Sequence, residues 1–464
     1  MSFRWVILIL GDSALAVTAL YLAAIVRLGT SEVAQQLTEF NTLFTAAVFI
    51  LAVLFSSHLM EAYGFARNTK KREVLINILF GTATAFFLLS VVYYLDPEVI
   101  LGRGILAISL LLFAVLQFCW HSLYLVGKNH PRFSQRVLIL GTGELAAQMG
   151  EIISSNRSNF VLAGYAACHN CEPPDNKSEF NLIAVPPDSI VGDSSDLLAT
   201  AQLVRADIIV VALSERRGQF PLRDVLRCKL NSIQIMDAPA LYERVQDKLM
   251  LESITPSWFI FSDGFRRTSI FSFFKRAVDI VLSITGLLLT LPFIPLIALA
   301  IKLDSSGPVL FRQVRIGNKE HQFLLYKFRS MRLDAEQLSG AVWAQENDPR
   351  VTMLGRFLRN SRIDEIPQLI NVLKGDMSFV GPRPERPEFV EKLKQIIPYY
   401  SKRHFIRPGL TGWAQVRYPY GASVEDAVEK LRYDLCYIKN IGPFLDTLIF
   451  FETIKVVLFG RGVR

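Results

Sequence analysis

The sequence contains few charged residues and few cysteines. Asp, Glu, Lys and Arg make up 20% of its 464 residues and hydrophobic residues 51%, whereas soluble chains usually carry about 25% charged residues. A purely soluble protein is therefore the poorer interpretation. The five cysteines are an odd number scattered along a long chain, which is not the pattern of a disulfide framework. We therefore expect a membrane protein whose polar parts face a reducing compartment.

The charge that is present has a positive excess. Lys and Arg number 50 against 42 Asp and Glu, which gives a formal charge of +8. Such a balance favours anionic partners such as phosphates or acidic lipid headgroups, with nucleic acid as a competing interpretation. The aromatic and basic residues between Tyr399 and Phe405 would suit either partner. The many apolar segments favour a lipid bilayer, so we expect no nucleic acid as a partner.

Four apolar blocks predict a transmembrane region over residues 1–128. They run from Trp5 to Val26, Thr42 to Met60, Val74 to Leu95 and Ile105 to Val126. Each approaches the ~20 residues that cross a bilayer as a helix, and the first lacks the cleavage site of a signal peptide. Basic residues concentrate after the second and fourth blocks, which places the amino terminus and everything after the fourth block in the cytoplasm. Asp12 and His121 lie in or near these helices, where a packing role and a functional role are both open.

Residues 135–250 alternate short β-branched runs with helical stretches, which predicts a doubly wound, Rossmann-like domain. The first strand continues into Gly141-Thr-Gly143-Glu-Leu-Ala-Ala147, a turn whose backbone amides could hold a pyrophosphate. The second strand leads to Cys168-His-Asn-Cys171 and lacks the usual ribose-binding acid. We therefore expect a degenerate or regulatory domain, with Gly141 and Gly143 as weak cofactor-binding candidates and active NAD chemistry as the alternative.

A second membrane segment is predicted over residues 275–303, after a linker at 251–270. Its apolar run is interrupted by Pro292 and Pro295 and has basic residues on both flanks. Positive charge on both sides indicates that both ends are cytoplasmic, and the prolines provide a break where the helix can turn back. A spanning helix with a proline kink is the alternative to this re-entrant hairpin. The hairpin would hold a domain over residues 271–464 on the inner membrane surface.

The densest group of chemistry-bearing residues surrounds Asp364 and Glu365. The helical spacing of the apolar residues that follow places both acids at a helix amino terminus. Acids at this position often only cap the helix. A catalytic role is supported by Gly381-Pro-Arg383-Pro and Arg407-Pro-Gly, where a rigid backbone presents arginines suited to bidentate phosphate binding.

At these residues the chain resembles the bacterial sugar transferase family, the monotopic polyprenyl-phosphate phosphoglycosyl transferases. The resemblance covers roughly Lys275 to Val457. The similar pieces are Lys275-Arg276-x-x-Asp279, Gly307-Pro-Val-Leu-Phe311, Tyr326-Lys-Phe-Arg-Ser-Met331, Asp364-Glu365, Lys374-Gly-Asp-Met-Ser-Phe-Val-Gly-Pro-Arg-Pro384 and Arg407-Pro-Gly-Leu-Thr-Gly-Trp-Ala-Gln-Val416. The four helices and the nucleotide-fold domain before them resemble the long form of the family. Leu291-Pro292 is a departure, because some relatives have Ser-Pro at this break.

The resemblance implies a reaction in which a UDP-sugar and undecaprenyl phosphate give undecaprenyl-diphosphate-sugar and UMP. This is the initiating step of exopolysaccharide, O-antigen or capsule synthesis. Asp364 would be the nucleophile that forms an aspartyl-phosphosugar intermediate, and Glu365 would bind Mg²⁺. The basic family positions that would hold the diphosphate or the lipid phosphate are Lys327, Arg329, Arg359, Arg383 and Arg407. Surface salt bridges are the alternative role for these side chains, and the sugar stays open among glucose, galactose and N-acetylated hexoses.

The expected fold class is a membrane protein of the α plus α/β type with three parts: a four-helix transmembrane region, a Rossmann-like domain and a re-entrant-helix transferase domain. We expect a multi-pass protein of the bacterial inner membrane with its catalytic domain in the cytoplasm. The expected partners are a UDP-sugar, undecaprenyl phosphate, the lipid bilayer and downstream glycosyltransferases, with a homo-oligomer as one option. Two other functions stay open: a membrane-bound NAD(P)-dependent nucleotide-sugar-modifying enzyme, and a non-catalytic scaffold of a polysaccharide assembly complex.

Overall fold

The computed structural model of the protein describes residues 3–30, 40–60, 62–63, 71–97, 101–128, 134–155, 160–168, 184–213, 220–254, 256–265, 267–332, 348–418 and 421–459. His169, Cys171 and the stretch that follows them therefore lie outside the described residues. The chain divides into two compact units, Met1–Val245 and Gln246–Arg464. Each unit is described by itself below.

The first unit begins with four apolar helices, α1 (Phe3–Leu28), α2 (Phe40–Leu59), α3 (Lys71–Leu95) and α4 (Arg103–Lys128). Helices α1, α3 and α4 are long and apolar enough to cross a membrane. The apolar part of α2, Leu43–Leu59, is shorter than a span requires. All four blocks are helices, three of them are long enough to span a membrane, and the protein is membrane-associated.

A buried polar cluster connects three of these helices. Gln117 on α4 donates a hydrogen bond to Asp12 on α1 (2.6 Å) and another to Ser57 on α2 (2.9 Å). The Nε2 atom of His121 lies 3.1 Å from the Asp12 carboxylate, and both side chains are fully buried. Since unpaired polar groups are costly in an apolar environment, these contacts account for Asp12 and His121 through helix packing.

The second part of this unit is a parallel sheet, as predicted, and it has five strands. Its strands are β1 (Gln135–Leu140), β2 (Phe160–Ala167), β3 (Ile190–Asp193), β4 (Ile208–Val211) and β5 (Gln234–Asp237), in the order β3-β2-β1-β4-β5. Helices α5 (Glu144–Ser155), α6 (Leu197–Leu203), α7 (Leu222–Leu230) and α8 (Ala238–Gln246) alternate with them. All of β4 is buried, as expected for a strand covered on both faces.

The Gly141–Gly143 turn follows β1 directly. Gly141 has a φ of +127°, and a Cβ atom there would come within 2.6 Å of the Ala212 carbonyl oxygen, so only glycine fits. Its amide donates to the Ala166 carbonyl, and the Thr142 carbonyl accepts from the Ala184 amide. Cys168, just after β2, is disulfide-bonded, a bond that the sequence analysis did not anticipate.

The second unit opens with α9 (Pro256–Phe261) and the apolar helices α10 (Ser269–Thr290) and α11 (Ile294–Asp304). Helices α10 and α11 meet at an angle of 66° across the break that contains Pro292. Two short sheets follow: the hairpin of β6 (Leu310–Ile316) and β7 (Gln322–Phe328), and the parallel pair β8 (Ser378–Val380) and β9 (Gly409–Thr411). The remaining helices are α12 (Met353–Asn360), α13 (Gln368–Lys374), α14 (Pro387–Ile396), α15 (Trp413–Arg417), α16 (Val424–Lys439) and α17 (Pro443–Phe459).

The core of the second unit includes residues before the predicted linker and within it. Leu249 and Ile254 are buried in the same cluster as Trp413 and Leu435. The indole of Trp413 donates to the backbone carbonyl of Asp247 (2.9 Å). The segment that starts at residue 246 thus packs as part of this unit.

Candidate active site

The acidic pair lies on a turn between two helices. Helix α12 ends at Asn360, and Arg362 then adopts a left-handed conformation (φ +58°) that reverses the chain. Ile363–Glu365 forms a short 3-10 helix, which leads through Pro367 into α13. The acids therefore precede a helix amino terminus, as the sequence predicted, and both are buried.

Glu365 is surrounded by cations from three segments. Its Oε1 atom accepts hydrogen bonds from Arg383 (2.7 Å) and Lys327 (3.2 Å), and its Oε2 atom lies 3.7 Å from Arg362. Burial alone would raise the pKa of Glu365, but these three positive charges hold the pKa well below its ordinary value. Glu365 is therefore ionised throughout the neutral range.

Asp364 has a different environment. The residue is only 6% exposed, yet no hydrogen bond or ion pair reaches its carboxylate from the part of the chain that the structure describes. Burial raises the pKa of Asp364, whereas the nearby charges of Lys327 and Arg359 oppose that rise. A buried carboxylate without hydrogen bonds is a better nucleophile than a fully paired one, because none of its lone pairs is occupied.

The position of Lys327 is fixed by an asparagine that the sequence analysis did not single out. Asn371 on α13 is fully buried. Its amide donates to the Leu324 carbonyl (2.7 Å), and its carbonyl oxygen accepts from the Tyr326 amide (3.1 Å). These two bonds attach β7, which carries Lys327, to the helix that follows the acidic pair.

The first apolar helix of the unit is attached to the same elements through the Lys-Arg-x-x-Asp motif. Arg276 donates to the last carbonyls of α13, those of Val372 (2.6 Å) and Leu373 (2.7 Å). Asp279 is buried and accepts from the Phe379 amide (2.8 Å). The motif therefore docks α10 on α13 and β8, and the sequence alone did not assign it that role.

The predicted phosphate-binding residues do not all converge on the acidic pair. Lys327 and Arg383 contact Glu365, and Arg359 donates to Ser330 (2.9 Å) while its charge acts on Asp364. The buried Arg329 instead donates to the Ile301 carbonyl (3.1 Å) and to Ser305 at the end of α11. Arg407 is exposed, and its charge acts on Arg267. Gly141 and Gly143 belong to the other unit.

The oxygen donors of the pair fit a magnesium ion that arrives with a phosphate ligand. No group of three or more His, Cys, Asp or Glu side chains that could hold a metal occurs among the described residues. One oxygen of Glu365 and the carboxylate of Asp364 are nevertheless left without a close hydrogen-bond donor. Mg²⁺ is usually bound by one or two carboxylates together with substrate phosphates and water. The arrangement suits such a shared site and not a closed cage.

These features define a class of site: a free carboxylate beside several fixed positive charges, which suits transfer of a phosphate group. A model of the bacterial sugar transferase family matches residues 270–460. The chain is 44% identical over 185 residues to an exopolysaccharide production protein of Rhizobium leguminosarum and covers 92% of it. The protein therefore belongs to the bacterial sugar transferase family.

Two further relatives match longer parts of the chain. A UDP-N-acetylgalactosamine-undecaprenyl-phosphate N-acetylgalactosaminephosphotransferase of Aeromonas hydrophila is 40% identical over 263 residues, which are 56% of this chain and 61% of that protein. An undecaprenyl-phosphate glucose phosphotransferase of Komagataeibacter xylinus is 34% identical over 337 residues, or 71% of this chain and 60% of that protein. The chain thus spans about three fifths of the length of these two relatives.

Proposed function

We propose that the protein transfers a hexose 1-phosphate from a UDP-sugar to undecaprenyl phosphate, which gives undecaprenyl-diphosphate-sugar and UMP. This would be the initiating step of exopolysaccharide, O-antigen or capsule synthesis. The observation that carries the proposal is the free, buried carboxylate of Asp364 beside a glutamate held by three cations. The names of the relatives support the substrate class, since they contain undecaprenyl phosphate together with glucose or N-acetylgalactosamine.

The reaction proceeds in two displacements at one phosphorus atom. In the first, an Asp364 carboxylate oxygen bonds to the phosphorus that bears the sugar, and the bond from this phosphorus to the bridging oxygen breaks, so UMP leaves with that electron pair. In the second, an oxygen of the lipid phosphate attacks the same phosphorus, and the bond to Asp364 breaks. The carboxylate is thereby regenerated, and neither step needs an oxidant or a further reactant.

The chain's own cations lower the cost of bringing an anionic donor to an anionic nucleophile. Lys327 and Arg383 already offset the Glu365 charge, and Arg359 and Lys327 act on Asp364. Fixed charges in a buried site stabilise the charge that develops on the leaving phosphate. Glu365 would hold Mg²⁺, which when bound neutralises part of the diphosphate charge.

The bent helix pair supports a re-entrant hairpin, with the catalytic unit on the cytoplasmic face of the inner membrane. Its break contains Pro292, its two helices meet at 66°, and large apolar side chains such as Leu288 and Leu296 are exposed. Single-cysteine labelling at Ser272 and Ser306 in intact cells tests this topology. Both positions should react only from the cytoplasm, and periplasmic labelling of one of them would show that the pair spans the membrane.

The decisive experiment is a rapid-quench measurement of UMP with Mg²⁺, a panel of UDP-sugars and no lipid. A burst close to one equivalent of UMP is expected, because Asp364 accepts the phosphosugar before the lipid arrives. Turnover beyond the burst should require undecaprenyl phosphate. A preparation that turns over with lipid but gives no burst without it would contradict the covalent intermediate. Absence of UMP with every donor, with or without lipid, would contradict the transferase proposal as a whole.

A further inference from the structure

The loop that carries Arg383 is held through its backbone. Four consecutive carbonyl oxygens of this loop each accept one hydrogen bond. The Pro382 carbonyl accepts from the Gly409 amide (2.9 Å), and the Arg383 carbonyl accepts from Arg403 Nη2 (3.0 Å). The Pro384 carbonyl accepts from Arg315 Nη1 (3.1 Å), and the Glu385 carbonyl accepts from the Ile316 amide (2.9 Å). Two of the four donors are therefore arginine side chains, and the hydrogen bond to the Arg383 carbonyl is donated by Arg403.

Arg403 is not a surface residue that happens to reach the loop. It is 5% exposed, and its partner Asp434 on α16 is 1% exposed. The Nη2 atom of Arg403 lies 2.7 Å from the Asp434 carboxylate, and its Nη1 atom donates to the Tyr400 hydroxyl (2.6 Å). The planar guanidinium reaches all three groups in one fixed orientation. The buried charge is thus compensated and its direction is set.

We infer that Arg403 is a positioning residue for the transfer reaction, acting through the backbone of Arg383 on the cation that contacts Glu365. The path is short: Asp434 orients Arg403, Arg403 holds the Arg383 carbonyl, and the Arg383 side chain donates to Glu365 at 2.7 Å. Displacement of a charged group in an active site by about 1 Å can cost on the order of 10²-fold in rate. This inference rests on the proposed transferase function and goes beyond it.

Two variants separate positioning from folding. Arg403→Lys keeps the charge opposite Asp434 but lacks the planar fork that also reaches the Tyr400 hydroxyl and the Arg383 carbonyl. Arg403→Met combined with Asp434→Leu removes both charges, so no unpaired buried ion remains. The matched control is Lys248→Met, which breaks the ion pair of Lys248 with Glu429 on the same helix α16.

The test is a double-mutant cycle on the full-length protein in detergent, with kcat measured by UMP release. Arg403→Lys should lower kcat about 10²-fold and change it little when Arg383 is already Met, because residues that act as a unit are not additive. Lys248→Met should retain the wild-type kcat. An equal loss in the presence and absence of Arg383, or no loss in the Arg403 variants, would overturn the inference.

Hydrogen exchange of the peptide that contains residues 381–386 gives a second readout that does not depend on turnover. Exchange there should be faster in both Arg403 variants and unchanged in Lys248→Met. Unchanged exchange in the Arg403 variants would overturn the inference even if Arg383→Met proves too slow for the cycle. A wild-type protein that releases no UMP from any donor would contradict the proposed function, and the exchange result would still decide whether Arg403 holds the loop.

Discussion

Two regions of the molecule contain sequence patterns suited to a diphosphate, and they differ in the atoms that make their contacts. At the Gly141–Gly143 turn the described contacts are made by backbone atoms, to Ala166 and Ala184. At Asp364 and Glu365, charged side chains converge from a strand, a turn and a proline-flanked loop. The glycine pattern is explained by chain geometry, since a Cβ atom at Gly141 would meet a carbonyl oxygen. The charges that converge on Glu365 have no such explanation in chain geometry, so we take the Asp364–Glu365 region as the candidate active site.

The largest effect expected from this contrast is at Asp364. Asp364→Asn should lower UMP release by on the order of 10⁴-fold or more, because an amide cannot form the acyl-phosphate bond to the phosphosugar. Labelling of the protein by a sugar-phosphate donor should also disappear. The exposed Asp263 provides the matched control, and Asp263→Asn should leave both readouts unchanged. Residual single-turnover labelling of the Asp364 variant would assign the nucleophile to another residue.

The second expected effect concerns the boundary between the two compact units that contain these regions. Deletion of residues 1–245 should leave a folded protein that releases UMP, since every contact described for the acidic pair lies in the second unit. Deletion of residues 1–270 should unfold it, because it removes the buried Leu249 and Ile254, each worth roughly 2–5 kcal/mol. Thermal unfolding and UMP release compare the two truncated proteins. Equal stability would show that residues 246–270 are a dispensable linker.

Much of this arrangement was predictable from sequence. Short-range patterns located three of the long apolar helices, the parallel sheet and the helix that follows Asp364, because hydrophobic periodicity and Gly or Pro punctuation report local structure. The resemblance to a family supplied Lys327, Arg359 and Arg383. What these predictions share is that they depend on neighbours in the chain or on a known motif.

The remaining contacts depend on residues distant in sequence. Asn371 reaches Leu324 and Tyr326, and Arg403 reaches Asp434, with no local signal in either case. Arg329 belongs to the same dense basic motif as Lys327, yet it bonds to the end of α11. Strand alternation could not have flagged this difference, because residues two apart, such as Lys327 and Arg329, point to the same face of a strand, and β7 ends at Phe328. The positions of partners across 30 to 50 residues could not be derived from periodicity.

A smaller effect is expected in the pH dependence of the reaction. Activity requires ionised Asp364, so it falls as the pH drops through the pKa of this residue. Burial raises that pKa, the Lys327 charge lowers it and the Glu365 charge raises it. Lys327→Met should therefore move the acid limb of kcat/KM to higher pH, and Glu365→Gln should move it to lower pH. Shifts of the same sign in both variants would show that another group controls the limb.

The smallest expected effect is at the Gly141–Gly143 turn. It tests whether this turn, unlike the Asp364–Glu365 region, binds no diphosphate. The sequence lacks the acid that usually holds the ribose after the second strand, and the Thr142 carbonyl is already hydrogen-bonded to Ala184. NAD or NADP titrated into the full-length protein should therefore bind weakly or not at all. Gly143→Ala should change UMP release by less than about twofold, as for substitutions remote from a site. Stoichiometric NAD(P) retained through purification, or a redox reaction that depends on Gly143, would make this turn a working cofactor site and would remove the difference between the two regions.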